Sequence, residues 1–454
     1  MKQSIHTQNP YSGQDLEHYN YHTASEISTI LEHAQKAFNN WKTTDIKHRA
    51  KLLKNVANIL EDKKEEFGQL MTREMGKPIS QSIAEIEKCA KLCDFYIANA
   101  DKFLSDQIIK TEAHESFISY DPLGTILSVM PWNYPFWQVF RFAIPTLTAG
   151  NVGLLKHASN STGTAIAIQK LFLDAGYPEG CFQTLIINHE DMDAIIGNDI
   201  VKAITLTGSE KAGKSIATLA GQNLKKTVLE LGGNNACVVL DDANLDKYLD
   251  TMVTARMQNN GQSCIAAKRF IVTEKIYDTF LEQFTQKVKD LKIGNPEDAD
   301  TYISVMARED LAKELETQVS KSIEKGATLH YGNSRDGAFY QPTIITNVKP
   351  DMPIFDEETF GPVAAVIKAK DKKEALALAK NSRFGLGTMI FTENIKAIYD
   401  EISDIPDGAL FINEMVKSDP RLPFGGTKAS GYGRELSKEG ILEFVNIKTV
   451  YINK

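Results

Sequence analysis

The chain has 454 residues, 42% hydrophobic and 24% charged, with a formal net charge of −8. That is ordinary globular composition, and this length points to two or three domains rather than one core. The acidic balance argues against a nucleic-acid partner, which calls for a basic face, and no apolar run nears the roughly 20 residues that span a bilayer.

The opening segment, MKQSIHTQNPYSGQ, has no apolar signal core. The cysteines, Cys89, Cys93, Cys181, Cys237 and Cys264, are odd in number and irregularly spaced, a poor disulfide framework. A reducing, cytoplasmic setting is therefore expected. No Cys/His cluster has zinc spacing, so no metal is expected, and Cys89 and Cys93, four apart in a helical pattern, read as packing residues.

The first hundred residues read as helical. Ile27, Ile30, Leu31, Ala34, Ala37, Phe38 and Trp41 recur at three- and four-residue spacing, with Ser25 as the expected cap. A second helix is expected through Leu52, Leu53, Val56, Ile59 and Leu60, ending near Gly76 and Pro78, and a third over roughly 85–103.

Short apolar runs then alternate with helical segments. Strands are expected at 126–130, 152–156, 203–207, 227–231 and 237–240, with helices at 163–175 and 211–221 between them. The alternation resumes after Arg269, with apolar runs at 342–345, 363–367, 388–391 and 410–412. Such alternation implies an α/β fold with two doubly wound parallel sheets, each covered on both faces. The tail, 444–452, is a strand with no helix after it, suited to pairing outside its own domain.

Three segments carry chemistry. In NNGQSCIAAKR (259–269), Cys264 follows a polar turn; a turn leading into a helix exposes a thiol near backbone N–H groups and favours thiolate, whereas an arbitrary cysteine is usually core. In LELGGNNA (229–236), Glu230 ends a strand beside Gly232 and Gly233. It reads as a general base in a cleft or as a surface glutamate before a turn. In MPWNYPFW (130–137), Asn133 reads as an oxyanion donor or as the polar member of a rigid apolar turn.

Together these segments closely resemble the aldehyde dehydrogenase superfamily over nearly the whole chain. NPYSG, REMGKP (73–78), PWNYP, LLKHAS (154–159), TGS (207–209), LELGG, GQSC, EETFGP (357–362) and PFGGTKASGYGRE (423–435) carry the resemblance. It implies that Cys264 is the nucleophile, that Asn133 and the Cys264 N–H hold the oxyanion, and that Glu230 activates the water that hydrolyses a thioester. That base disfavours transfer to coenzyme A.

The resemblance also implies an NAD(P) site, although no GxGxxG fingerprint is present. Trp132, Lys156, Ser159, Gly208, Ser209, Leu231, Glu358 and Phe360 are its expected residues. Lys156 meets the adenine ribose, Gly208 and Ser209 the pyrophosphate at a helix N-terminus, and Glu358 and Phe360 the nicotinamide end. Leu206 stands where the family usually has Phe. Ser159 replaces a glutamate common in NAD-restricted relatives and that would repel a 2′-phosphate, so NADP, alone or alongside NAD, is expected.

Succinate-semialdehyde dehydrogenases resemble this chain further and place a carboxylate-binding arginine at Arg141; a structural salt bridge is the alternative for that residue. Gln258 replaces a second arginine of some of those enzymes, and Ser418 adds a hydroxyl. Succinate semialdehyde is the favoured substrate, ahead of other semialdehydes or a broad aldehyde range.

The implied organisation is a dinucleotide-binding domain (1–103 and 123–230), a catalytic domain (231–430), and bridging strands (104–122 and 440–454) that make a homodimer or homotetramer. One rival from another class remains. GSEKAGKS (208–215) matches the P-loop pattern GxxxxGK[ST] after a strand, and the run CVVLD (237–241) could supply the magnesium-binding Asp of a nucleoside-triphosphatase.

Overall fold

The computed structural model describes residues 4–454; the first three residues, assigned above to the cofactor domain, lie outside the described range. After an N-terminal hairpin, Ser4–Gln8 with Asp15–Asn20, four helices follow. The first starts at Ala24, capped by Thr23 and not by Ser25. The Thr23 hydroxyl accepts from the Glu26 N–H, while Glu26 accepts from the Thr23 N–H at 2.6 Å. The expected second helix is two, Ile46–Asp62 and Lys64–Met75, broken at Lys63 (φ −115°). The apolar spacing carries through that break, which hid it. Gly76, at φ 74°, ends the pair, and Pro78 opens the long helix Ile79–Leu104.

The first large sheet runs in the order Gly431–Tyr432, Lys226–Glu230, Val201–Thr207, Thr125–Met130, Val152–His157, Phe182–Thr184. All neighbours are parallel except Gly431–Tyr432, which returns from late in the chain to lie antiparallel beside Glu230. The strand order reverses at Thr125–Met130: both its neighbours follow it in the chain, Val152–His157 leading to one edge of the sheet and Val201–Thr207 to the other. A crevice opens outside the carboxyl ends of the strands at such a switch point.

The second sheet orders Thr328–Tyr331, Thr343–Thr346, Val363–Ala369, Ala267–Thr273, Asn235–Val239, Thr388–Phe391, Leu410–Ile412, antiparallel only at its first strand. Ala267–Thr273 had no counterpart among the expected strands because its sequence, AKRFIVT, opens on two charged side chains after an alanine. All seven residues are buried, and Arg269 is satisfied inside by the carbonyls of Asn234, Leu378, Ala379 and Asn381. A third sheet pairs Val445–Ile452 with Glu115–Pro122 and Gln107–Ile108.

The two large sheets meet end to end. Glu230 closes a strand of the first; Leu231–Asn234 crosses over; Asn235 opens a strand of the second, beside Ala267. The catalytic candidates therefore lie where carboxyl ends of one sheet face amino ends of the other.

Candidate active site

Cys264 lies in a loop between the turn Gln258–Gly261 and the strand Ala267–Thr273. No helix follows it, contrary to the expectation. The loop is held instead by three consecutive left-handed residues, Asn259 (φ 56°), Asn260 (φ 52°) and Gly261 (φ 72°). Glycine is required at the third, since a Cβ there would meet the Gly361 carbonyl oxygen at 2.3 Å. The asparagine amides hold the other two: Asn259 Nδ2 donates to the Asn133 carbonyl at 2.7 Å, and Asn260 Nδ2 to the Val305 carbonyl at 2.8 Å.

Asn133 is thereby bound to the cysteine loop. Its Nδ2 donates to the Gln262 carbonyl at 3.1 Å, and the second N–H of that amide is uncommitted. The PWNYP segment is fixed in turn by buried Glu85, whose Oε1 accepts from the N–H groups of Phe136 (2.9 Å) and Trp137 (2.8 Å) while Oε2 pairs with buried Lys77.

The expected thiolate is not favoured in this state. Burial pushes the Cys264 thiol up to about 11, offset mainly by Lys268 and Arg141. Lys268 is buried beneath the loop and donates to the carbonyls of Ser263 (2.8 Å) and Cys264 (2.6 Å), with Glu358 Oε1 at 3.2 Å.

Glu230 is buried with both carboxylate oxygens lacking hydrogen bonds. Burial, then the nearby Glu435, hold its carboxyl well above the usual range, against the pull of Arg141 and Arg434. Its backbone carbonyl accepts from the Gly208 N–H at 2.9 Å, so the candidate base and the turn expected to hold the cofactor share one strand end.

Two cavities meet at Cys264. One, of about 270 Å³, is lined by Trp132, Gly208, Ser209, Leu231, Glu358 and Phe360, six of the eight expected cofactor residues. Trp132 and Phe360 meet edge to face at 5.7 Å between ring centres. Ser209 caps the helix Glu210–Gln222, and Gly213 in that helix packs on Leu231 so closely that a Cβ would lie 2.6 Å from it. Lys156 and Ser159 lie outside this cavity, at and just beyond the carboxyl end of Val152–His157, next to the switch-point strand.

The other cavity, about 290 Å³, is lined by Arg141, Gln258 and Ser418, and by residues that sequence reasoning missed, among them Lys88. Gln138 borders both cavities with Cys264. Arg141 is buried with its Nη2 2.7 Å from Glu435 Oε2, and its guanidinium lies 4.4 Å from the centre of the Phe424 ring. No signal in the sequence ties Arg141 to Glu435, nearly 300 positions later.

The P-loop rival fails on geometry. The helix begins at Glu210, so Glu210–Ser215 is helical rather than a loop wrapped around phosphate. Lys214 is 76% exposed and pairs with Glu210 at 2.7 Å. Among the described residues, no group of His, Cys, Asp and Glu could hold a metal ion, and no helix is long and apolar enough to cross a membrane.

Residues 1–450 match the aldehyde dehydrogenase family. The chain belongs to that family. As such it is an NAD(P)-dependent aldehyde-oxidising enzyme. It is 48% identical over 452 residues to a probable succinate-semialdehyde dehydrogenase (NADP+) of Synechocystis sp., covering 99% of this chain and 100% of that protein. Succinate-semialdehyde dehydrogenase (NADP+) 1 of Mycobacterium tuberculosis is 44% identical over 454 residues, with 99% of each covered. The crystal structure of succinic semialdehyde dehydrogenase from Streptococcus pyogenes with NADP+ superimposes with a TM-score of 0.97 at 37% identity, over 99% of this chain and 100% of that one.

Proposed function

We propose that this aldehyde dehydrogenase oxidises succinate semialdehyde to the dicarboxylate with NADP+, through a thioester on Cys264. One observation carries the reading: Cys264 stands where a cavity with cofactor-type lining meets a cavity with cationic lining. The names of the relatives support the same substrate and cofactor.

The residues fit a dinucleotide. A Cβ on Gly232 would lie 2.3 Å from Glu358 Oε2, so the glycine lets the chain pass under a carboxylate placed to accept ribose hydroxyls. Ser209 presents the N-terminus of a 13-residue helix to the pyrophosphate. Neither Ser159 nor buried Lys156, the two residues expected at the adenine ribose, is acidic, which favours NADP. When bound, the nicotinamide accepts the hydride.

Cys264 reacts as its thiolate, the thiol proton having passed to solvent, and the sulfur adds to the aldehyde carbon to give the thiohemiacetal oxyanion. That oxyanion takes the free N–H of Asn133 and the backbone N–H of Cys264. Loss of hydride leaves the thioester. Glu230 in its ionised form removes a proton from water, which adds to the thioester; Cys264 leaves as thiol or thiolate and the acid is released. Glu230 has no hydrogen-bond partner to release before it takes that proton.

Two further parts of the reading concern assembly and setting. Copies of the chain pair through the third sheet, where Ile108 (71%), Ile447 (61%) and Tyr451 (49%) are exposed. Five free cysteines suit a reducing cytoplasm. Sedimentation of the intact chain tests the first: a dimer or tetramer supports it, a monomer refutes it.

The deciding experiment is a rate matrix of succinate semialdehyde, glutarate semialdehyde and butanal against NADP+ and NAD+. The highest kcat/KM belongs to succinate semialdehyde with NADP+. A butanal value equal to it sinks the substrate reading.

A further inference from the structure

The cavity beside Cys264 holds two cations in different electrical states. Arg141 faces Glu435 at 2.7 Å. Lys88, on the helix Ile79–Leu104, has no carboxylate within 4.0 Å among the described residues. The one acid on this wall, Glu85, is already taken by Lys77 and by two backbone N–H groups.

Lys88 is nonetheless held in place. Its ammonium lies 4.0 Å from the centre of the Trp137 ring and donates to Ser418 Oγ at 2.8 Å. Trp137 Nε1 donates to the same oxygen at 2.9 Å. A hydroxyl has two acceptor positions and one donor. With both acceptor positions filled, the Ser418 hydrogen is free to donate. The ammonium, one of its three hydrogens committed, has two left. Lys88 and Ser418 therefore form a pair of donors held against a tryptophan face, with one net positive charge and no anion.

We propose that Lys88, with the Ser418 hydroxyl, is the principal carboxylate anchor of this enzyme and sets its preference for an aldehyde with a distal carboxylate. Arg141 contributes less, because Glu435 already offsets its charge, although Nε and Nη2 of Arg141 make no hydrogen bond. The arrangement supplies a cation where Gln258 provides none. The assignment rests on the carboxylate-bearing substrate proposed above. Burial, with Arg141 next, lowers the Lys88 ammonium to about 8, against Cys89 and Glu85, which raise it; Lys77 adds to the lowering. A bound carboxylate relieves that penalty.

The test compares wild type, Lys88→Met, Lys88→Arg and Arg141→Met in the intact enzyme, each checked by its melting curve. KM and kcat are measured for succinate semialdehyde and butanal, together with inhibition of butanal turnover by succinate. One hydrogen bond to a charged group corresponds to about 10- to 100-fold in affinity. The ratio of the two KM values should shift by that factor in Lys88→Met, more than in Arg141→Met, and Lys88→Arg should restore most of it. The Ki of succinate should rise in parallel.

An unchanged KM ratio in Lys88→Met, or a larger loss in Arg141→Met, overturns the proposal. The wild-type rates judge the substrate reading separately. If wild type does not favour succinate semialdehyde but succinate inhibition still depends on Lys88, the anchor stands and the substrate name falls.

Discussion

Arg141 Nη2 and Glu435 Oε2 lie 2.7 Å apart, both side chains at most 5% exposed, with Arg141 lining the cavity that Cys264 also borders and both charges acting on buried Glu230. The pair joins a helix of the first half of the chain to a segment near its end. It sets the charge felt by Glu230: Glu435 raises that carboxyl, and Arg141 lowers it. On the proposed mechanism, Arg141 thus bears on deacylation as well as on the substrate.

Replacing Arg141 by Met removes the cation and leaves Glu435 uncompensated beside Glu230. The Glu230 carboxyl then holds its proton more tightly, so a larger share of enzyme lacks an ionised base at a given pH. The acid limb of the kcat profile should move to higher pH, by about one unit or more. A profile superimposable on wild type would refute the coupling.

Glu230 itself is raised by burial, so its base form is scarce at low pH and grows as pH rises. The kcat for aldehyde oxidation should climb with pH through a limb well above the ordinary carboxylate range. Glu230→Gln should still produce about one equivalent of reduced cofactor per site in a stopped-flow burst and then stall, with steady turnover lowered about 100-fold or more. A variant lacking the burst would place Glu230 before hydride transfer instead.

In the free enzyme, alkylation of Cys264 by iodoacetamide should be slow at pH 7 and keep rising towards about pH 11, where burial places the thiol. Lys268 is the largest influence in the opposite direction. Lys268→Met should move the alkylation curve to higher pH, with Lys268→Arg closer to wild type. Cys264→Ser, still folded, provides the blank. A curve unmoved by the loss of Lys268 refutes its electrostatic role.

Glu74 links stability to pH. It is 1% exposed and accepts from the N–H groups of Gly163 (2.7 Å) and Thr164 (3.1 Å), just after Ser159. Burial outweighs those bonds and raises its carboxyl to about 7 from the ordinary 4.5. The folded state therefore holds this proton more tightly than the unfolded chain. The stability it confers is complete below about pH 4.5 and lost as pH rises to about 7, worth about 3 kcal/mol. In thermal melts, Glu74→Gln should flatten the decline over that window. An identical decline in wild type and variant would exclude Glu74 as its source.

Ser159 governs the 2′-phosphate in the proposed cofactor reading. Ser159→Glu places a carboxylate two residues beyond the end of the strand that carries Lys156. It should cut kcat/KM for NADP+ about 10- to 100-fold relative to NAD+. Equal losses on both cofactors would locate the adenosine end elsewhere.

Parts of this protein were legible because they are local. Strands such as Thr125–Met130 and Val363–Ala369 announce themselves by buried, β-branched runs, and the helical faces by their spacing. Local signals failed where tertiary contacts override them. AKRFIVT is a central strand only because the carbonyls of Asn234, Leu378, Ala379 and Asn381 receive Arg269. The break at Lys63 was masked by an apolar face that continues on both sides of it.

The sequence by itself determined the family, the two-sheet architecture and the identity of Cys264, Glu230 and Asn133 as candidates, because each belongs to a contiguous motif. Tertiary structure alone decided their state. Burial is a property of the packed chain, and it raises both the cysteine thiol and the glutamate carboxyl, reversing the thiolate expectation. Partnership is also decided at long range: Glu435 takes Arg141 and Ser418 takes Lys88 across roughly 300 residues of chain. A charge is visible in sequence, but whether it is neutralised depends on which distant side chain the fold brings within a few ångströms.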